Sequence, residues 1–82
     1  PPLTEERRRD LVRQSKTEIE NSKISIRNIR QKANDEMKKL GKEGLSEDLV
    51  RDAEGAVQDL TNTFSAHIDT IYSDKEADIM TV

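Results

Sequence analysis

The side chains of this sequence that could do chemistry are few, and their spacing argues against a catalytic or metal site. His67 is the only imidazole, and the chain has no cysteine. It falls on an apolar helical position between Phe64 and Ile71, where a histidine is typically packed at or near a core. Metal sites in helical bundles place a Glu three residues before a His, but position 64 is Phe. We therefore expect no catalytic residues, no metal and no cofactor, and we interpret the chain as a non-enzymatic protein.

Lysine and arginine side chains give a stronger signal, because they are concentrated in one half of the chain. The net charge of the 82 residues is −3. Residues 1–40 nevertheless hold 11 Lys and Arg against 7 Asp and Glu, whereas residues 41–82 hold 3 against 10. On a helix, six of these cations fall within a fan of about 100°, interrupted only by Glu20. We call them the basic stripe: Arg9, Arg13, Lys16, Lys23, Arg27 and Arg30.

The basic stripe would be about 30 Å long at 1.5 Å per residue, and such a row of cations can follow a phosphate backbone. Asn28 adds a hydrogen-bond donor and acceptor on the outer side of the same segment. These seven residues are the candidate nucleic-acid contacts. The alternative interpretation is a solvated face whose cations pair with the acidic second half, and composition leaves both open.

Apolar residues at seven-residue spacing predict two long helices that position these side chains. The first seam is Val12, Ile19, Ile26, Ala33 and Leu40, with Ser15, Ser22 and Ile29 at the intervening inward positions. The second is Val50, Val57, Phe64 and Ile71, with Ala53, Leu60 and His67 between them. Two sustained registers favour helices over disorder, although only 32% of the chain is hydrophobic.

Capping signals predict where these helices begin and end. Thr4 is a suitable N-cap for a helix over 5–40, and Gly41 suits the left-handed position just past its end. Residues 41–46 form the predicted loop, and Ser46 caps a second helix over 47–80. A loop this short makes the helices antiparallel neighbours. The expected fold class is all-α, a long antiparallel two-helix hairpin.

The second helix carries more apolar surface than a two-helix seam requires. Further apolar residues flank its seam on both sides: Leu49, Ala56, Ile68, Tyr72 and Ile79. This wide arc predicts that the hairpin is part of a three-helix bundle, completed by another chain segment or by self-association. The alternative is that several of these residues are singly exposed, as is common on protein surfaces.

No apolar run approaches the roughly 18 to 20 residues that a membrane span needs, and no signal-peptide pattern opens the chain. From this we expect a soluble intracellular protein without a membrane partner.

Short strings along the whole chain match the pattern of a known family. They are Pro-Pro-Leu-Thr-Glu-Glu-Arg-Arg at 1–8, Ile-Arg-Asn-Ile-Arg at 26–30 and Ala-Asn-Asp at 33–35, then Ser-Glu-Asp at 46–48, Gln-Asp-Leu-Thr at 58–61, Ile-Asp at 68–69, Lys-Glu at 75–76 and Ile-Met-Thr-Val at 79–82. Together they resemble ribosome recycling factor. The opening string and the Arg-Asn-Ile-Arg segment are the most distinctive part of the resemblance.

The resemblance implies an L-shaped translation factor with a three-helix-bundle domain and a smaller β-rich domain inserted after the N-terminal helix. This chain would supply the last two bundle helices. Its return hinge from the second domain would be Pro1, Pro2, Leu3 and Thr4. The N-terminal helix and the second domain would lie outside these 82 residues, and that helix would cover the surplus apolar surface.

The resemblance also implies partners. In the family the bundle lies across large-subunit ribosomal RNA, and elongation factor G with GTP then splits the ribosome after termination. Arg27 and Arg30 match the family's Arg-Asn-x-Arg segment and so inherit its expected RNA contacts. Gln31 stands where many relatives carry another basic residue, which lowers the local positive charge. The implied location is the cytoplasm of a bacterial-type cell or an organelle.

Overall fold

The computed structural model describes residues 4–81 as two long α-helices joined by a short turn. Helix α1 spans Glu5–Lys42, and helix α2 spans Glu47–Thr81 and packs against α1. The molecule is 64 Å long and only 15 by 12 Å across. No strand occurs between residues 4 and 81, so the predicted all-α hairpin is confirmed. Each helix continues one or two residues beyond its predicted end at 40 or 80.

Both helices begin at side-chain caps. The Thr4 hydroxyl accepts a hydrogen bond from the Arg7 backbone N–H at 3.0 Å, and the Ser46 hydroxyl accepts one from the Leu49 N–H at 3.2 Å. Two acidic residues follow in each first turn, where the helix dipole favours negative charge. Of the predicted hinge, only Thr4 belongs to the described residues, since Pro1, Pro2 and Leu3 lie outside them.

The turn is a Schellman motif centred on Gly44. The φ angle of Gly44 is 113°. The Leu45 N–H donates to the Leu40 carbonyl at 3.0 Å, and the Gly44 N–H donates to the Gly41 carbonyl at 3.3 Å. The prediction that Gly41 takes the left-handed position was therefore wrong, because α1 runs on to Lys42. Gly41 instead allows close helix approach, since a Cβ there would lie 3.3 Å from Val50 Cγ2.

The line of contact along α1 drifts away from the predicted heptad. The half-buried residues run Ser15, Ile19, Lys23, Ile26, Arg30, Ala33 and Met37. Ser22 and Ile29, predicted to point inward, are exposed, and Ile29 keeps 67% of its surface accessible. A straight helix repeats every 3.6 residues, so a strict seven-residue count loses about 20° per heptad against the true contact line.

The same drift changes the contact face of α2. After Val57 the line toward α1 continues through Thr61, Ser65, Ile68, Tyr72 and Ile79. Four residues of the predicted seam, Leu60, Phe64, His67 and Ile71, are exposed instead. Ile68, Tyr72 and Ile79, interpreted from the sequence as surplus apolar residues, are the ones that pack toward α1.

The hairpin has no buried apolar core of its own. Among residues 4–81 only Thr61 is buried, and its hydroxyl is satisfied by donating to the Val57 carbonyl at 2.8 Å. Every apolar side chain described is at least partly open to water. The two helices therefore leave most of the available hydrophobic stabilisation unrealised.

Neither helix, within residues 4–81, combines the length and apolar character needed to cross a bilayer.

Candidate nucleic-acid interface

The basic stripe follows one long side of the hairpin, and a cross-helix ion pair marks that side on α2. Lys23 Nζ contacts Asp69 Oδ1. Arg27 and Arg30 lie four and seven residues beyond Lys23, and residues at that spacing share one helix face. We call this side of the molecule the stripe side.

Acidic side chains accompany the N-terminal part of the stripe. Arg9 Nε lies 3.8 Å from Glu5 Oε1, and Arg13 Nη1 lies 3.7 Å from Asp10 Oδ1. Glu76 of α2 lines the same shallow hollow as the two arginines. These pairs are long and exposed, so each contributes little to stability. Their carboxylates nevertheless reduce the positive potential at this end of the stripe.

The C-terminal part of the stripe is different, because its arginines lack such partners. Neither Arg27 nor Arg30 forms an ion pair with any residue in the range 4–81. Arg27 is exposed, whereas Arg30 is half-buried and lines a groove between the helices. Lys16 is also exposed and unpaired within the described chain, and Asn28 is exposed on the outer side of α1. Of the seven predicted contacts, only Lys23 pairs with the acidic helix.

The opposite side of the hairpin carries an open apolar groove of about 390 Å³. It is lined by Ile26, Ile29 and Ala33 of α1 and by Val57, Leu60, Thr61 and Phe64 of α2. Arg30 also lines it, because this half-buried residue lies on the line of contact between the helices and so borders both sides. Ile29, Leu60, Phe64 and Ile71, which we call the apolar edge, each keep 54 to 67% of their surface exposed. The residues displaced from the predicted seams are therefore the ones that form this surface.

Arg8 makes a contact that the sequence analysis missed. Its Nη1 donates to the Met80 carbonyl at 3.2 Å, which joins the start of α1 to the end of α2. The last turn of α2 contains no basic residue, so Arg8 supplies the cation that a helix C-terminus favours. The absence of Lys or Arg from that turn was the available signal.

The imidazole and the phenol of α2 lie in different environments. His67 is exposed with its ring centroid 6.1 Å from that of Phe64, rather than packed in a core. Desolvation raises the pKa of the Tyr72 phenol, and the charge of Glu76 and a hydrogen bond with it add to the shift. Tyr72 is thus neutral at physiological pH. Residues 4–81 contain no cluster of three potential metal ligands.

Comparison with known proteins gives the family. The model of the ribosome recycling factor family matches residues 1–80. Among curated relatives, the ribosome-recycling factors of Flavobacterium johnsoniae and Cytophaga hutchinsonii are each 58% identical over 82 residues. That of Methylobacillus flagellatus is 53% identical over 83 residues.

These alignments cover all of this chain but only 44 to 45% of each relative. The chain thus spans less than half the length of the curated relatives that it matches. The family match extends over nearly every residue, including the Arg-Asn-Ile-Arg segment of the basic stripe. The chain belongs to the ribosome recycling factor family.

Proposed function

We propose that this hairpin is the RNA-binding part of a translation factor that binds large-subunit ribosomal RNA through the basic stripe. In the full-length protein, acting with elongation factor G, it would help to split ribosomes after termination. Membership of the ribosome recycling factor family supports the general role. The one-sided distribution of cations supports the assignment of the surface.

The main observation is that Arg27 and Arg30 stay unpaired among residues 4–81 although the chain is acidic overall. Arg9, by contrast, has Glu5 Oε1 3.8 Å from its Nε. Cations that keep no carboxylate partner can bind phosphate without first breaking an ion pair. A guanidinium group also matches two phosphate oxygens at once.

Salt dependence provides the test, because each phosphate neutralised on RNA releases counterions. We would replace Arg27 and Arg30 with Ala in the full-length protein that contains this chain. Affinity for purified large ribosomal subunits would be measured between about 50 and 200 mM salt. We expect a loss of about tenfold or more per contact, since a hydrogen bond to a charged group contributes about 1.5–3 kcal/mol. The salt slope should fall by roughly one unit per phosphate contact.

A matched control removes the same charge from another face. Lys32 and Lys39 are exposed on α1 but lie outside the stripe. Their joint replacement with Ala should leave the affinity and slope close to those of the wild type. Unchanged affinity and slope in the Arg27→Ala/Arg30→Ala protein would overturn the assignment of these residues, and an equal loss in the control would mean that only net charge matters.

The apolar edge favours a second candidate function, which is helix pairing. We propose that a third helix of the same protein covers this groove, as expected for a bundle domain whose relatives are more than twice as long as this chain. If the hairpin instead acts only through helix pairing, the basic stripe would be a solvated face. The Arg27→Ala/Arg30→Ala measurement separates these two functions.

The mass of the 82-residue hairpin in solution tests the groove itself. A chain with this much uncovered apolar surface should self-associate, so we expect a concentration-dependent dimer or larger assembly by analytical ultracentrifugation. A helical monomer at all concentrations would contradict this proposal.

A further inference from the structure

The stripe side of α2 carries a run of uncharged polar residues directly across from Arg27 and Arg30. Asp69 marks this side through its contact with Lys23. Ser65, Asn62 and Gln58 precede Asp69 by four, seven and eleven residues, the spacing of a single helix face. We call these three residues the neutral patch.

The antiparallel arrangement sets the patch opposite the arginines. Moving from Lys23 to Arg27 and Arg30 along α1 corresponds to moving from Asp69 back toward Asn62 along α2. The groove on the opposite side gives the same register along the helices, because Arg30, which lies on the line of contact between them, lines it together with Leu60 and Thr61. The arginines and the neutral patch therefore border the same stretch of the stripe side.

The charge pattern of α2 makes this stretch exceptional. The second half of the chain has 10 acidic residues, and Asp69 and Glu76 lie on the stripe side beside Lys23 and the N-terminal arginines. Asp59 lies next to Gln58 in sequence but about 100° further around the helix. The residues of α2 that face Arg27 and Arg30 are thus uncharged, with Asp59, one turn before Asn62, at the outer edge of the patch.

The two amides of the patch are already arranged with respect to each other. Gln58 Nε2 donates to Asn62 Oδ1 at 2.9 Å. This bond uses the acceptor of Asn62, while both of its Nδ2 hydrogens have no partner among residues 4–81. The Nδ2 group of Asn62 is therefore available to donate hydrogen bonds, which phosphate and ribose oxygens can accept.

We propose that the RNA site is composite, with Arg27 and Arg30 of α1 binding phosphate by charge and Asn62 of α2, oriented by Gln58, donating neutral hydrogen bonds to the same backbone segment. This inference rests on the proposed function. It adds a second helix to the interface and a contact type that salt does not weaken through counterion release.

The difference between charged and neutral contacts gives a sharp test. In the full-length protein, Asn62→Ala should reduce affinity for purified large subunits by about three- to tenfold, the size of one ordinary hydrogen bond. Its salt slope should equal that of the wild type, because no counterion-releasing charge is lost. Arg27→Ala, measured in parallel, should lower both the affinity and the slope.

A second variant guards against a trivial structural effect. Asn62→Asp keeps the size of the side chain but places a carboxylate opposite the arginines, so it should weaken binding more than Asn62→Ala and also lower the slope. Asn21 is an exposed asparagine of α1 outside the stripe, and Asn21→Ala and Asn21→Asp are the matched controls. Circular dichroism would confirm equal helicity of all variants.

The binding measurements distinguish failure of the composite site from failure of the proposed function. Wild-type affinity in Asn62→Ala and Asn62→Asp, together with a clear loss in Arg27→Ala, would overturn the composite site and leave the proposed function standing. Wild-type binding in Arg27→Ala as well would overturn both. A slope that falls in Asn62→Ala would show that the change disturbs a charged contact, which contradicts a neutral donor role.

Discussion

The two long sides of this hairpin are made by the same pair of helices, yet they differ in what they need from a partner. The apolar edge draws on both helices, with Ile29 on α1 and Leu60, Phe64 and Ile71 on α2. The charge of the basic stripe comes from α1 alone. On the facing side of α2, acidic residues lie beside the N-terminal part of the stripe and beside Lys23, whereas neutral residues lie beside Arg27 and Arg30.

This difference shows how one hairpin can present one surface for packing and another for binding. Apolar side chains gain free energy only when something removes them from water, so the apolar edge requires another apolar surface to cover it. Guanidinium and ammonium groups remain well hydrated until a phosphate approaches, so the stripe can stay open. One side is suited to permanent packing, and the other is suited to reversible binding.

We expect the largest effect on stability from a substitution in the apolar edge. In the full-length protein, Phe64→Ala should lower the free energy of unfolding by about 3–5 kcal/mol if a third helix covers the ring. In the isolated hairpin, at concentrations low enough to keep it monomeric, the same change should cost far less, because the ring is 54% exposed. Chemical denaturation of both proteins, followed by circular dichroism, measures the difference.

Ile24 provides the control for this experiment. It is also exposed, at 45%, but it lies away from the groove on α1. Ile24→Ala should change the stability of the full-length protein by less than about 1 kcal/mol, as expected for a surface substitution. Equal costs at Phe64 and Ile24 would show that the groove is not where the protein packs.

A smaller effect tests the turn that keeps the two sides in register. Gly44→Ala should cost about 1–2 kcal/mol, because φ is 113° and a Cβ meets no other atom within 4 Å, so the strain is purely in the backbone. Gly55 lies inside α2 with open space around it. Gly55→Ala should therefore stabilise the protein by about 0.5–1 kcal/mol. Thermal melts of the two variants should shift in opposite directions.

The sequence predicts the local features of this fold well, because they depend on local rules. Thr4 and Ser46 cap their helices as expected, and the connection between the helices lies where the break in apolar periodicity and the glycines indicate. The left-handed position was assigned to Gly41 rather than Gly44 because a glycine at either position suits a helix end. Only the observed φ separates the left-handed residue from the one that allows close packing.

The faces are harder to predict, because a small error in helical period accumulates over 35 residues. A heptad count places Phe64 and Ile71 in the seam and Ile68 and Tyr72 outside it, and the structure reverses this. The predicted position of the basic stripe was less affected by an error in helical period, because its members span a wide arc on one side of α1. The pairs of Arg9 and Arg13 join neighbours on one helix, but the Lys23–Asp69 contact could not be predicted, since it depends on the register of two distant segments. The roles of the seven candidate RNA contacts remain predictions.

We expect the smallest effect from a substitution that breaks the Lys23–Asp69 contact. It tests the difference between the paired and unpaired cations of the stripe. Asp69 holds Lys23, whose side chain is only 32% exposed, while Arg27 one turn further along has no carboxylate partner among the described residues. Asp69→Asn would release Lys23 without changing the size of the side chain. We expect affinity of the full-length protein for large subunits to rise about two- to threefold, and the salt slope to increase by up to about one unit.

The cost in stability should be small, since an ion pair with an exposed partner contributes about 0–1 kcal/mol. Asp52→Asn makes the same charge change at an exposed position 17 residues before Asp69, about 25 Å away along α2, and serves as the control, with a weaker effect because salt screens charges beyond about 10 Å. Adding Lys23→Ala to Asp69→Asn should cancel the gain. If Asp69→Asn binds no better than Asp52→Asn, then Asp69 does not mask Lys23. The unpaired state of Arg27 and Arg30 would then not distinguish them from the paired members of the stripe, Arg9, Arg13 and Lys23, because a carboxylate partner would not determine which cations bind the RNA.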